Sequence, residues 1–486
     1  MKHVAVDVGA SSGRLLMGEL VAGKIELTEI HRFQNGFVEV DGKCIWNIDH
    51  IFTNIMIGLE KLKKTGVTRC TLGIDTWAVD YCLLDQEGKR LHEVVSYRDK
   101  RTDFAMDAVL AEVSAADIYT KTGIQFLQFN SLYQLYVEDA GLKARTDAVM
   151  MVPDYLGYLL TGERVTEVTN ASSTQMLHLH TKQFDVDLLD LVGLDAGQFA
   201  RFVKPGEMLG KVSAEWHEKY DLPDCDVITV ATHDTASAVL GAPGIGDDWA
   251  FLSSGTWSLL GAELANPINS AEAFAANYTN EWGAYDTFRF LKNIMGLWLI
   301  QEVARMQDYA YSYAELAELA AREEPFGVLI GVDDHRFLNP TDMIAEIQAY
   351  CMETGQEIPQ TPGKLARVIY DSLAIQYAIQ IEQLQALTGR EIEHLHIIGG
   401  GANIAILNQL TADLTGITVH AGPTEATGLG NLAVQLIASG EAEDISAVRE
   451  LIRKSTPLTT YTPGDGVNMM EIRAKYKNIS GKQEAF

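Results

Sequence analysis

The chain has 486 residues, of which 47% are hydrophobic and 21% charged; this excludes a disordered, collagenous or coiled-coil protein and leaves room for two or three domains with sizeable cores. Its net charge of −28 disfavours nucleic acid and anionic lipid as bulk partners, but not a small anion held by backbone N–H groups. No apolar run of roughly 18 residues marks a membrane span. The amino-terminal apolar stretch is too short for a signal peptide, and five cysteines without CxxC spacing suit a reducing cytoplasm.

In chain order, residues 3–8 (HVAVDV) read as a short apolar strand and Gly9 to Gly13 as a turn of small residues. Residues 14–21 read as a second strand, and residues 24–30, alternating in period two, as a third. Over residues 48–64, Ile51, Ile55, Leu59 and Leu62 recur at helical steps, and a Lys pair before Gly66 suits a helix C-terminus. Residues 70–74 and 79–84 read as strands. This β-β-β-α-β order is neither a Rossmann start nor a TIM barrel. Past Ala242-Pro243-Gly244 the opening recurs as a strand over 249–252, a small-residue turn from Ser253 to Thr256, and a strand over 257–262. Two related halves are expected, 1–243 and 244–486, with their hairpin turns facing each other across a cleft. Residues 365–387, 403–415 and 426–437 read as helices, and a strand over 395–398 ends in Gly399-Gly400-Gly401.

Asp7-Val8-Gly9-Ala10-Ser11-Ser12-Gly13-Arg14 puts a carboxylate at a strand end, before a turn rich in N–H and hydroxyl donors. It suits either a phosphate loop with Asp7 directed at Mg²⁺ or a plain hairpin with a capping Asp. The same residues match G-x-S-x-G, but a nucleophile elbow needs a helix after the serine, and a strand follows here. No GxxxxGK[ST] is present, which excludes a P-loop. Gly428-x-Gly430-x-x-Ala433 lacks the strand that precedes a dinucleotide fingerprint and reads as glycines for close helix packing. Thr232-His233-Asp234-Thr235 follows a strand read over 227–230, so Asp234 is either a base for an attacking hydroxyl or an N-cap. Asp75 to Asp80 combines two carboxylates with Trp77, which suits a sugar or a solvated turn beside a core Trp. His178 with His180, and His394 with His396, lie in strand-like runs without the Cys pair, HExxH or acidic cluster of a metal site, and read as structural.

Taken together and in order, several segments resemble the FGGY carbohydrate kinases of the actin and hexokinase fold. They are VAVDVGASSGR (4–14), GIDTWAVD (73–80), YRDKRT (97–102), GIQFLQFNSLYQL (123–135), PDYLGYLLTG (153–162), THDTASAV (232–239), LSSGTWSL (252–259), LKNIMGLWLIQ (291–301) and HIIGGGANIAILNQL (396–410). The resemblance covers nearly the whole chain. It implies an α/β, two-domain, actin/hexokinase-like (ribonuclease H-like) fold with a central cleft. The implied reaction is ATP-dependent phosphorylation of a ketose 1-hydroxyl, L-rhamnulose first, with L-fuculose or D-xylulose as alternatives. A non-catalytic nucleotide sensor of the same fold is the competitor from another class, and it would have no need of a base aimed at a hydroxyl.

The resemblance also implies roles. Gly9, Ala10, Ser11, Ser12, Gly13 and Arg14 would form the first phosphate loop, and Asp7 would position Mg²⁺. Thr256 and Gln301 would contact ATP, with Gly399, Gly400 and Gly401 as the adenosine motif. Asp234 would be the general base. His233, Asp234, Thr235 and Asn293 would contact the sugar, as would Ala78, where the family usually has Gly. Trp77 and Gln125 are added as further sugar contacts. Some members carry cysteines in the C-terminal third that can pair; here Cys351 stands alone, with Val368 at the partner position, so no intrachain disulfide is expected there. A cytoplasmic monomer or weak homo-oligomer follows, with sugar and ATP as its partners.

Overall fold

The computed structural model describes residues 1–464 and 469–479. Within them the chain forms two compact units. The first comprises residues 1–243, 263–290 and 426–455, and the second the described residues of 244–262, 291–425 and 456 onward. The units therefore differ from the linear halves 1–243 and 244–486. The chain leaves the first unit at Pro243 and returns to it twice, because each returning segment carries side chains that complete that unit's core.

In the first unit, β1 (His3–Val8), β2 (Ser12–Val21) and β3 (Lys24–Gln34) form an antiparallel meander. A crossover through α1 (Ile48–Lys64) leads to β4 (Arg69–Thr76), parallel to β1. With β5 (Met208–Lys211) and β6 (Asp224–Ile228) the sheet runs β5-β6-β4-β1-β2-β3. All six residues of β1 are buried, as a strand covered on both faces requires. Val4, Val6 and Val8 join Ile51, Ile55 and Leu59 of α1 in one core. On the opposite face Ala5 packs with Leu16 and with Leu432 of the returning helix Ala426–Ala438. The Asn47 side chain caps α1 by accepting from His50 N–H at 2.9 Å, and lysines 61, 63 and 64 oppose the dipole at its other end.

Helix α2 (Asp234–Leu240) packs on the returning helix backbone to backbone. A Cβ on Gly430 would lie 1.7 Å from the Ser237 carbonyl oxygen, and one on Gly241 2.0 Å from that of Ala426. Glycine is the residue that admits such an approach, which is the packing role read from Gly428-x-Gly430.

Local departures from the sequence reading have local causes. The strand read over 79–84 begins at Tyr81, because Val79 takes φ 67° and leaves the extended region. The strand read over 227–230 is β6, ending at Ile228. Two short strands, Phe37–Val40 and Lys43–Trp46, pair between β3 and α1. His178 and His180 lie in a turn rather than a strand, with His178 Nδ1 accepting from the N–H groups of His180 and Thr181 at 3.2 and 3.3 Å.

In the second unit, β7 (Trp249–Ser254) and β8 (Trp257–Leu264) form a hairpin. With β9 (Phe288–Met295), β10 (His394–Ile398) and β11 (Thr418–Ala421) the order is β9-β8-β7-β10-β11. β10 runs parallel to β7, and β11 parallel to β10. β8 and β9 run on past the limits of the unit. The order repeats β3-β2-β1-β4-β6, so a hairpin followed by two parallel strands is built twice. The 27-residue helix Pro362–Thr388 starts at a Thr361 cap and stops at Gly389 in the left-handed conformation. No helix among the described residues is long and apolar enough to cross a membrane.

Candidate active site

In the first unit, Asp7 of β1 and Asp75 of β4 are register partners on adjacent parallel strands, so both side chains leave the sheet on one face. Arg14 donates from Nε and Nη2 to Asp7 Oδ2 at 3.0 and 2.8 Å, so Asp7 is held by an ion pair and does not act as a cap. Asp75 is fully buried. Its Oδ2 accepts from Asn431 Nδ2 at 2.6 Å, while Oδ1 is buried without a hydrogen-bond partner. Burial first, and then the like charge of Asp7, push the Asp75 carboxyl well above the ordinary carboxylate range. The turn after β1 closes with Gly9 N–H donating to Ser12 O at 2.9 Å. Asn35 braces it, its N–H donating to Ser11 O at 3.1 Å and its Nδ2 to Gly9 O at 2.8 Å.

The end of β4 is tied to the next functional segment by Thr76 N–H, which donates to Thr232 O at 2.9 Å. His233 is the N-cap of α2, without a side-chain cap bond, and Asp234 is the first helical residue. The capping alternative for Asp234 is therefore set aside. Thr235 Oγ1 donates to Asp234 Oδ1 at 3.2 Å, and His233 Nε2 lies 3.5 Å from the same oxygen. Burial raises the Asp234 carboxyl, His233 draws it back, and Asp7 raises it again. The charges of Asp7, Asp75 and Asp234 act on one another, and Asp75 Oδ1 is a buried oxygen without a hydrogen-bond partner; a hard, oxygen-seeking cation such as Mg²⁺ is what an unpartnered carboxylate oxygen beside Asp7 would fit.

Glu167 supports this segment and was not singled out in the sequence. It is fully buried. Its Oε2 accepts from Thr232 N–H at 3.1 Å and Thr232 Oγ1 at 2.7 Å, and its Oε1 from Thr169 N–H at 2.9 Å. The only signal was an acidic residue ahead of a short helical turn, and such residues are common.

In the segment Asp75 to Asp80, Asp80 is buried rather than solvated. Its Oδ2 accepts from the indoles of Trp46 and Trp77 at 2.6 and 2.9 Å and from Tyr97 N–H at 3.1 Å, and its Oδ1 from Gln134 Nε2 at 3.0 Å. Burial pushes its carboxyl up to about 6. The rings of Trp46 and Trp77 lie 4.3 Å apart, and Trp77 is only 5% exposed. Ala78 is half-buried and precedes Val79, whose carbonyl is held by Ser131 Oγ at 2.6 Å. Gln125 is buried, with its backbone carbonyl accepting from Asn130 Nδ2 at 2.8 Å. Trp77, Ala78, His233, Asp234, Thr235 and Gln125 all belong to the first unit.

In the second unit, Thr256 Oγ1 donates to Gln301 Oε1 at 3.3 Å, joining the two residues expected at ATP. Leu297 and Trp298 donate their N–H groups to the carbonyls of Gly255 and Thr256 at 2.9 and 3.1 Å, so helix Trp298–Met306 starts on this turn. The Gly399 to Gly401 turn abuts the same hairpin. Gly399 has φ 81°, and a Cβ on Gly401 would lie 2.0 Å from Ser254 Oγ. Asn293 lies on β9 within the second unit. Near the start of β7 and β10, Asp248, Glu393 and His394 come together with ligand atoms within 4.8 Å of one another, so His394 does have acidic neighbours that the sequence did not reveal. Backbone pairing gathers them, the N–H groups of Glu393 and His394 donating to Asp248 O at 2.8 and 3.2 Å. Cys351 is buried and free, and Cys70 and Cys225 are thiols with their sulfurs 3.4 Å apart on β4 and β6.

Comparison with known proteins follows the same lines. Residues 3–241 match the model of the N-terminal domain of the FGGY family of carbohydrate kinases, and residues 250–439 that of its C-terminal domain. A rhamnulokinase of Bacillus subtilis is 55% identical over 465 residues, 96% of each chain, and one of Ligilactobacillus salivarius is 52% identical over 481 residues, 99% of each. Among solved structures, a xylulose kinase from Lactobacillus acidophilus has a TM-score of 0.77 at 15% identity, covering 98% of this chain and 96% of its own. A glycerol kinase of Plasmodium falciparum, solved with ADP, has a TM-score of 0.77 at 16% identity, covering 98% of this chain and 96% of its own. The chain belongs to the FGGY family of carbohydrate kinases.

Proposed function

We propose that the protein transfers the γ-phosphoryl group of ATP to the 1-hydroxyl of L-rhamnulose, giving L-rhamnulose 1-phosphate and ADP in the breakdown of L-rhamnose. The observation that carries the acceptor is likeness to rhamnulokinases at 43–55% identity along nearly the whole chain. The site fits the chemistry. Phosphoryl transfer asks mainly for positioning and charge stabilisation. Asp234 takes the proton from the 1-hydroxyl as its oxygen attacks the γ-phosphorus, and the bond to the ADP oxygen breaks. Asp234 sits at the start of α2, where Thr235 and His233 orient it. Asp7 and Asp75 would hold Mg²⁺, which when bound neutralises charge on the phosphates.

The small-residue turn from Gly9 to Arg14, Thr256, Gln301 and the Gly399 to Gly401 turn are assigned to ATP. His233, Thr235, Ala78, Trp77, Gln125 and Asn293 are assigned to the sugar. Asp80 keeps the Trp77 indole fixed and so shapes the wall beside Ala78. The protein works in the cytoplasm, where ATP is at hand. L-Rhamnulose is a 6-deoxy ketose whose only primary hydroxyl is on C1, so ³¹P NMR of the product tests the reading. A phosphate ester split by two methylene protons is expected; an ester split by a single proton, or no ester, overturns it.

A further inference from the structure

The two nitrogens of His233 face groups of different character. Nδ1 lies 3.1 Å from Nη2 of Arg289 and 3.3 Å from Oε2 of Glu281, whereas Nε2 lies 3.5 Å from Asp234 Oδ1. All the partners on the Nδ1 side are deeply buried. The Arg289 side chain is 1% exposed and that of Glu281 7%. Arg289 Nη1 lies 3.0 Å from Glu281 Oε2, and its Nε donates to Trp282 O at 3.2 Å. The guanidinium is thus held by the Trp282 carbonyl and the Glu281 ion pair, although Nη1 and Oε2 complete no hydrogen bond, and its Nη2 meets His233 Nδ1.

A guanidinium has donors only. An imidazole nitrogen that receives one of its N–H groups must present a lone pair, so the ring proton belongs on the other nitrogen. We infer that Arg289 is a positioning residue for the transfer step: it holds His233 as the Nε2–H tautomer, a hydrogen-bond donor toward Asp234 Oδ1, with Glu281 balancing the buried guanidinium. The opposite tautomer would set the Nδ1–H against the guanidinium N–H at 3.1 Å; the proposed one leaves Glu281 Oε2, 3.3 Å from Nδ1, to its ion pair with Arg289. With Thr235 Oγ1 donating to Oδ1 and His233 Nε2 3.5 Å from the same oxygen, Oδ2 is the oxygen left to receive the proton of the sugar hydroxyl. Orientation of a base through a third group fixed behind a histidine is a recurring device of enzyme sites. The inference rests on Asp234 as the base, and it adds two residues, Glu281 and Arg289, that lie in neither the Asp7 nor the Asp234 motif.

Long-range ¹H–¹⁵N correlation of protein labelled in its 12 histidines reads the tautomer directly, with His233→Asn identifying the signal by its loss. The expected result near neutral pH is an unprotonated Nδ1 and a protonated Nε2. A protonated Nδ1, whether donating to Glu281 or as part of an imidazolium, overturns the inference. Arg289→Lys keeps the charge and removes the fork. It should lower kcat by about ten- to a hundredfold, leave the KM for ATP within about threefold, and mix the tautomers. Unchanged kcat together with an unchanged tautomer would show a purely structural ion pair and overturn the inference. If this variant does not fold, the spectrum of the unmodified protein still decides. Absence of any sugar turnover by the unmodified enzyme would instead refute the kinase reading, which the tautomer does not touch.

Discussion

Asp234 carries the largest expected effect of any single residue. Asp234→Asn keeps the shape and removes the proposed base, so sugar phosphorylation should fall by about a hundred- to ten-thousandfold, with ATP affinity within a few-fold by calorimetry. The acid side of the kcat profile follows from the same group. Burial raises the Asp234 carboxyl, with Asp7 adding to the shift and His233 opposing it. A base works only when deprotonated, so activity should be lost, as pH falls, at a pH above that of an ordinary carboxylate. Asp75 is a third case. It is fully buried and held well above its usual range by burial and by Asp7, so its charged form opposes folding at neutral pH. Asp75→Asn should raise Tm, because the Asn431 contact can persist while the like charge is gone, and it should weaken Mg²⁺ binding measured by titration in the presence of ADP. A lower Tm with unchanged Mg²⁺ affinity would contradict both roles.

At the scale of elements, the site depends on how closely helices and strand ends approach. Gly430 lets helix Ala426–Ala438 lie against the start of α2, since a Cβ there would sit 1.7 Å from Ser237 O. Gly430→Ala should cost about 2 kcal/mol or more in denaturant unfolding. Gly36→Ala, with nothing within 4 Å of its Cβ, should stay within about 0.5 kcal/mol of the unmodified protein. The meander over residues 3–34 and helix α1 were legible because their periodicities are strong and their turns are made of small residues. Phe37–Val40 and Lys43–Trp46 were not; they are four residues each, and mixed polarity hides strands that short. The loops that offer phosphate donors could be read from Gly, Ser and Asp at strand ends. Glu167, Glu281 and Arg289 could not, because they act by meeting His233 or Thr232 from distant parts of the chain, and no local spacing records such a meeting. Asp80 lies between these cases. Its place beside Trp77 was visible, but its grip on Trp46 depends on the tertiary fold.

At the scale of the molecule, a hairpin followed by two parallel strands is built twice, as β1-β2 with β4 and β6 and as β7-β8 with β10 and β11. Each copy ends its first strand in a turn of small residues, and the first carries an acidic residue that the second lacks at the equivalent place: Asp7 is the penultimate residue of β1, whereas Ser253 is that of β7. A shared architecture thus carries an unequal division of chemistry, with base and metal ligands assigned to the first unit and Thr256, Gln301 and the Gly399 turn to the second. The boundary was harder to read than the repeat. Ala426–Ala438 follows β7 to β11 in sequence, yet its Leu432 completes the core beneath β1. The central claim is sugar-dependent transfer to L-rhamnulose, and it is tested most directly by ADP release with Mg²⁺-ATP against L-rhamnulose, L-fuculose, D-xylulose and no sugar. The predicted result is a rate with L-rhamnulose well above the others and near zero without sugar. A rate that favours another ketose would contradict the acceptor, and no sugar-dependent release at all would contradict the kinase assignment itself.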